Sequence, residues 1–301
     1  MTVPGLPETV ELGSVERTLA AMRGGDGKGS VRSTTLNLVV YAPDDALVQG
    51  TMDVLAGVSV SHPLRALIVT PGDGKPVAEV SSLCRLDRGG DVLSERVVIK
   101  AAAAGLPSAV VLLLVPDLPV FLWWRGDVSE DDALLRELAG MATRLIIDSD
   151  IVGVDAVERV CLFAPGLADL AWARLQPWRQ AIAGLFDGRT QRRALDHLMA
   201  VEVRGPEGQA RLLAGWLRSR LGRQIGLDVA KAQRMERVEL HSGKGEFVVE
   251  RSGRDNHGTA SGPGIEPFAF SLGQPLAARM LAAELDELGG EPVFEEALAA
   301  A

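Results

Sequence analysis

Tyrosine, cysteine and histidine are scarce in this 301-residue chain, with one, two and four copies. Two cysteines, Cys84 and Cys161, do not make a disulfide framework and fit a reducing compartment. Long apolar runs are also missing. The longest, Ala109 to Val115, falls far short of the ~20 residues a membrane helix needs. The first residues carry no basic start followed by an apolar core, so no signal peptide is expected. The expectation is a cytoplasmic protein with no membrane contact. Positive charge is in deficit too: 31 Lys and Arg against 40 Asp and Glu give a net charge of −9. Such a surface repels phosphate backbones, so nucleic acid is not an expected partner.

The common signatures of catalysis are missing. No Gly-x-Gly-x-x-Gly follows a strand, so no dinucleotide site is signalled. His-Glu-x-x-His and Cys-x-x-Cys are both absent, and with them a zinc signature. The glycine-rich stretch Gly24 to Ser30 fails as a phosphate loop. Gly29 follows Lys28 where Ser or Thr is needed, and Arg23 stands where the first glycine is needed. "GVSVS", Gly57 to Ser61, lacks the last glycine of a nucleophile elbow. No catalytic residue, cofactor or metal is therefore assigned.

What is present is a core. Hydrophobic residues make up 47% and charged ones 24%, a globular profile. β-branched runs at 33–42, 65–70 and 144–150 alternate with helical patterns at 44–58, 107–114 and 129–141. Ser129 is the expected N-cap of the last of these. "PVAEVSSLCRL" and "VLSERVVIKA" read as strands joined by the turn Asp87 to Asp91. In the second half, Ala171, Leu175, Trp178, Ile182 and Leu185 define one helical face, which Pro177 should kink or restart. A helix is expected from Pro206 to Gly222, then a hairpin over 236–253, a flexible loop at 254–264, a strand over 266–272 and a last helix over 275–288. The final residues are expected to fray. The pattern predicts an α/β fold of two domains, 1–152 and 153–301, each a mixed or largely parallel sheet covered by helices.

Two stretches carry most of the functional promise. In "VPDLPVFLWWRG", Val115 to Gly126, adjacent tryptophans on a strand point to opposite faces, so they fill a two-sided core and make no platform. Arg125 then falls at the C-terminal end of a central strand, where open α/β sheets usually bind ligands. Asp148, opening "DSD", ends another strand; there it suits Mg²⁺ or a hydroxyl group or, more commonly, lies in a solvated turn or caps a helix. The second stretch, residues 189–223, holds eight arginines against Asp196, Glu202 and Glu207, a local +5. Arg211, Arg218 and Arg220 are its candidates for meeting an acidic partner or a phosphorylated metabolite. Trp172, set about 100° off the apolar stripe, and Arg179 are the candidates on the tryptophan-bearing helix.

"VPDLPVFLWWRG" also resembles a signature of the OpcA family, the glucose-6-phosphate dehydrogenase assembly proteins. "RSTTLNLVVYA", "HPLRALIV", "RLIIDS", "DLAWARLQPWRQAIAGLFD" and "LLAGWLRSRLG" resemble family segments in the same order. The resemblance implies a non-enzymatic partner of glucose-6-phosphate dehydrogenase. Such a partner favours the dehydrogenase's active oligomer by linkage. The family theme of a cysteine switch does not transfer cleanly to a chain with only Cys84 and Cys161. The alternative reading is a protein that binds a sugar phosphate or nucleotide with Arg125 and Asp148 at strand ends, as an enzyme or as an effector-sensing partner.

Overall fold

The computed structural model describes residues 2–4, 7–24, 34–59, 62–85, 92–128, 132–164, 166–253, 256–273 and 276–301. Most of the glycine-rich stretch, the turn at Asp87 to Asp91 and Ser129 lie outside these residues. In chain order the elements begin with β1 (Thr2–Pro4), β2 (Glu8–Glu11), α1 (Val15–Gly24), β3 (Leu36–Tyr41), α2 (Asp45–Val58) and β4 (Leu64–Pro71). Then come β5 (Val77–Arg85), β6 (Val92–Ala101), α3 (Leu106–Leu113), β7 (Val120–Trp124), α4 (Ala133–Ala139), β8 (Arg144–Ile147), α5 (Ser149–Val152), α6 (Val154–Cys161) and β9 (Ala168–Asp169). The rest are α7 (Leu170–Arg174), α8 (Gln176–Leu185), α9 (Arg189–Leu195), β10 (Leu198–Gly205), α10 (Glu207–Leu221), β11 (Gly226–Lys231) and β12 (Arg237–Ser242). β13 (Gly245–Arg251), β14 (His257–Gly262), β15 (Ile265–Ser271), α11 (Ala277–Leu285) and α12 (Pro292–Leu298) complete the chain. Among the described residues, no helix is long and apolar enough to cross a membrane.

Two compact units result. The first gathers residues 1–147, 161–168 and 277–290; the second gathers 148–160, 169–276 and 291–301. The α/β expectation of mixed sheets covered by helices holds. The first sheet runs β1-β5-β6-β4-β3-β7-β8-β9, with β2 also on β5. Its centre is parallel, β6-β4-β3-β7-β8, while β5 is antiparallel to β6. Parallel strands need both faces covered, which is why Leu36 to Val40 and Leu64 to Val69 are buried throughout. β7 sits between β3 and β8, and Trp123 and Trp124 are both buried on its opposite faces. Asn37 anchors the turn before it: its side-chain amide donates to the Val115 carbonyl (3.0 Å) and accepts from the Val115 N–H (2.9 Å). A side chain thereby continues the hydrogen bonding where the strand pairing stops.

The second sheet runs β11-β10-β12-β13-β14-β15, parallel only between β10 and β11. Helices α8 and α10 pack on it. Pro177 stands in the first turn of α8, so the helix restarts there rather than bending through. Gly222 ends α10 in the left-handed conformation (φ 62°) that glycine adopts without strain. The helix expected after Ser129 is capped by Asp132, whose carboxylate accepts the Leu135 N–H at 2.9 Å.

Two expectations are corrected. The loop expected at 254–264 contains β14, antiparallel to β13 and β15. Its sequence, "HGTASG", has small residues that carry no hydrophobic signal. The neighbouring strands supply the pairing, and Phe270 fills the space a side chain at Gly258 would need. The C-terminus does not fray as expected. Phe294, Ala297 and Leu298 of α12 are buried, and Arg218 donates to the carbonyls of Ala300 and Ala301, each at 3.0 Å. Helices α10 and α12 approach closely at Gly215, where a β-carbon would collide with the Ala297 carbonyl and come within 2.9 Å of the Ala301 nitrogen. Gly215→Ala is expected to push α12 outward at a cost of ~1–3 kcal/mol. Denaturant unfolding measures this, and an unchanged midpoint would show the close approach to be dispensable.

Candidate functional site

The second unit contains a compact charged cluster. Asp148 caps α5, accepting the Asp150 N–H at 3.2 Å. Arg174, at the end of α7, grips Asp148 with both terminal nitrogens (2.8 and 2.5 Å) and reaches Asp150 at 3.1 Å. Asp150 in turn accepts the Gln209 backbone N–H (3.2 Å) and side-chain amide (2.5 Å) at the start of α10. The carboxylate there meets the positive end of a helix. Gly208 permits this approach, since a β-carbon would lie 2.8 Å from Asp150 Oδ1 and 2.9 Å from the Ser149 carbonyl.

Beneath this cluster lies Asp169, which caps α7. Its Oδ1 accepts the N–H groups of Ser149 (3.0 Å) and Ala171 (2.9 Å). Among the described residues, its Oδ2 has no hydrogen-bond partner. Burial raises the Asp169 carboxyl to about 7, with the Asp148 charge adding to it and the hydrogen bonds from Ser149 and Ala171 opposing. Burial raises Asp150 as well, against the pull of Gln209 and Arg174. For Arg174 burial acts downward, yet the hydrogen bond and charge of Asp148, with Asp150 and Asp169, leave it raised. The cluster thus keeps its cation charged and makes Asp169 and Asp150 reluctant to ionise.

A cleft of about 400 Å³ opens beside it, lined by Asp148, Asp150, Arg174, Trp178, Arg234 and Arg251 among others. The motifs singled out in the sequence did not include Arg234 and Arg251. They come together because Met235 precedes β12 and Arg251 ends its neighbour β13, an adjacency visible only once the hairpin register is known.

The other sequence-derived candidates are largely engaged within the fold. Arg125 donates to the Leu47 carbonyl (2.9 Å) and Thr51 hydroxyl (2.6 Å) of α2, and its guanidinium lies 4.6 Å from the centre of the Trp123 ring. Burial lowers its pKa, with Asp44 opposing. Trp172 is buried, with Arg179 stacked 3.5 Å over its ring. Burial lowers Arg179 to about 10 despite Glu291. Arg211 pairs with Asp155 at 2.6 Å, and Arg220 pairs with Glu296. Arg218 also donates to the Ile225 carbonyl at 3.0 Å. The arginine-rich segment therefore spends most of its charge inside the second unit.

A second charged surface is the outer face of the second sheet. Burial alternates along β12, with Val238, Leu240 and Ser242 inside and Arg237, Glu239 and His241 outside. Strand register sets Asp228, Glu202 and Glu239 in one row across β11, β10 and β12. Glu246 and Glu250 follow on β13, opposite His241 and Arg237. Glu202, Glu239 and His241 bring one ligand atom each within 4.8 Å of one another. That geometry suits a cation, but internal partners already use it: Arg237 holds Glu239 at 2.5 Å, and His241 Nε2 lies 3.2 Å from Glu202. The alternating "RVELHS" and "GEFVVE" strings signal an exposed sheet face; the row of acids needs the register.

Two family models match the chain. The glucose-6-phosphate dehydrogenase subunit N-terminal domain covers residues 56–160, and the corresponding C-terminal domain covers 165–298. The chain belongs to the OpcA family. Among OpcA relatives, the Nostoc punctiforme protein, named as an OxPP cycle protein OpcA, is 25% identical over 97% of this chain and 75% of its own length. The Synechocystis protein of the same name is 25% identical over 64% of this chain, which spans 44% of that relative. Among solved structures, an aldose-aldose oxidoreductase from Caulobacter crescentus is 12% identical, with 88% of this chain and 93% of that one covered and a TM-score of 0.49.

Proposed function

We propose that this OpcA-family chain is a non-catalytic partner of glucose-6-phosphate dehydrogenase. It binds the dehydrogenase, promotes its active oligomer, and docks through the acidic outer face of its second sheet. Membership of a family described as dehydrogenase subunits, matched in both halves of the chain, carries the first part. The row Asp228, Glu202, Glu239 supports the second. Like charges directly opposite one another on neighbouring strands cost stability, so a basic partner group that relieves them gains that energy on binding. Five carboxylates (Glu202, Asp228, Glu239, Glu246, Glu250) share that face with two arginines (Arg204, Arg237) and His241, so the acids are in excess. Glu202 and Glu246 are well exposed, with 54% and 67% of their side-chain surface accessible.

The mechanism is linkage: a partner that binds one oligomeric state better than another shifts the dehydrogenase toward it. The double variant Glu202→Lys, Glu246→Lys is expected to fold with stability changed by less than ~1 kcal/mol and to weaken the complex at least ~10-fold. Titration of the dehydrogenase by calorimetry or interferometry reads this directly. Added salt should weaken the wild-type complex and leave the variant less affected. Equal affinity for wild type and variant would remove the sheet face from the account.

A further inference from the structure

The cleft beside Asp148 has two chemically different walls. On one, Arg251 donates its Nε–H to the Met235 carbonyl at 3.2 Å, which fixes its guanidinium. Arg234 lies close enough that its charge, after burial, lowers the Arg251 pKa. Among the described residues neither arginine has an ion pair. Their carboxylate neighbour Glu236 is held by Arg204 at 2.8 Å. Two guanidiniums facing one cavity repel each other unless an anion lies between them, and a phosphate is the anion their planar donors fit best. The opposite wall carries Asp148 and Asp150, pinned by Arg174 and Gln209. Each carboxylate oxygen has acceptor capacity beyond these bonds, which suits hydroxyl groups. Trp178 contributes an aromatic surface, and Gln233 another amide. Arg174, Arg234 and Arg251 against Asp148 and Asp150 leave the lining at +1, and about 400 Å³ falls in the range of small-molecule sites.

We propose that this cleft binds a small phosphorylated polyol, with Arg234 and Arg251 on the phosphate and Asp148 and Asp150 on the hydroxyls. The site is separate from the acidic sheet face and needs no dehydrogenase to be tested. Isothermal titration of the isolated protein with glucose 6-phosphate, glucose and inorganic phosphate is the experiment. Glucose 6-phosphate is expected to bind, glucose to show no detectable heat, and inorganic phosphate to bind more weakly than the sugar phosphate. Arg234→Ala and Arg251→Ala should each weaken binding at least ~10-fold, the scale of a lost charge-assisted hydrogen bond. Arg189→Ala, which removes the same charge at an exposed position away from the cleft, should leave it unchanged. Arg234 is exposed, so its variant decides the matter if Arg251→Ala folds poorly. No binding of glucose 6-phosphate by the folded wild-type protein would overturn the proposal, as would binding that survives Arg234→Ala intact.

Discussion

Trp124→Ala is expected to lower the stability of the first unit by ~3–5 kcal/mol, the usual cost of truncating a large buried aromatic. The indole is 2% exposed. It stacks on Tyr41, the only tyrosine in the chain, with ring centroids 3.9 Å apart and planes 13° from parallel. Its Nε1–H donates to the Asp127 carbonyl at 3.1 Å, closing the chain over the strand end. Gly126 lies so near that a β-carbon there would stand 2.6 Å from the Tyr41 ring. Few neighbours are free to collapse into the space an alanine would leave. Trp124→Phe keeps an aromatic on Tyr41 but loses the hydrogen bond, and should cost distinctly less. Urea unfolding of the three proteins measures the series; a loss below ~1 kcal/mol for alanine would mean that the strand does not depend on its aromatic core.

Asp169 governs the second large effect, this time in pH dependence. Its carboxyl moves from an ordinary 3.8 to about 7 in the folded protein. A raised folded-state pKa means that the native state holds a proton the unfolded state has already released. The stability this contributes is complete below about pH 4 and is lost as pH rises to about 7. At ~1.4 kcal/mol per pH unit, a shift of about three units is worth ~4 kcal/mol. Asp169→Asn keeps the oxygen that accepts from Ser149 and Ala171 but cannot ionise. The stability difference between variant and wild type should therefore move by ~4 kcal/mol in the variant's favour between pH 4 and pH 8. Comparing the two proteins cancels the titration of groups that do not feel the Asp169 charge. A difference that stays constant across this range would show that Asp169 ionises like an exposed carboxylate.

The first sheet was largely legible because its physics is local. Parallel strands buried on both faces must be apolar along their whole length, and "LNLVVY" and "RALIVT" announce that without reference to anything else. Tryptophan geometry followed the same rule, since adjacent strand residues face opposite ways whatever their partners. The functional reading of Arg125 came from its place at a strand end. Its contacts with Leu47 and Thr51 come from a helix 74 to 78 residues earlier in the chain, which no local pattern encodes. The partners of the arginine-rich segment are hidden from the sequence for a related reason. Its local charge is real, but Asp155 and Glu296 and the last carbonyls of the chain meet Arg211, Arg220 and Arg218 from far away in sequence. Asp148 is the intermediate case. The cap half of the "DSD" reading is local and agrees with the structure, the solvated-turn half does not because Asp148 is buried, and its grip by Arg174 and the cleft beside it require the tertiary fold. β14 was missed because its small residues have neither alternation nor bulk.

We propose above all that this chain binds glucose-6-phosphate dehydrogenase and shifts it toward an active oligomer. The most direct measurement mixes the two purified proteins and follows mass by light scattering together with dehydrogenase turnover. A co-migrating complex, a larger dehydrogenase oligomer and a raised rate are expected, all diminished by Glu202→Lys, Glu246→Lys. Two proteins that elute separately, with the dehydrogenase rate unchanged at any ratio, would contradict it.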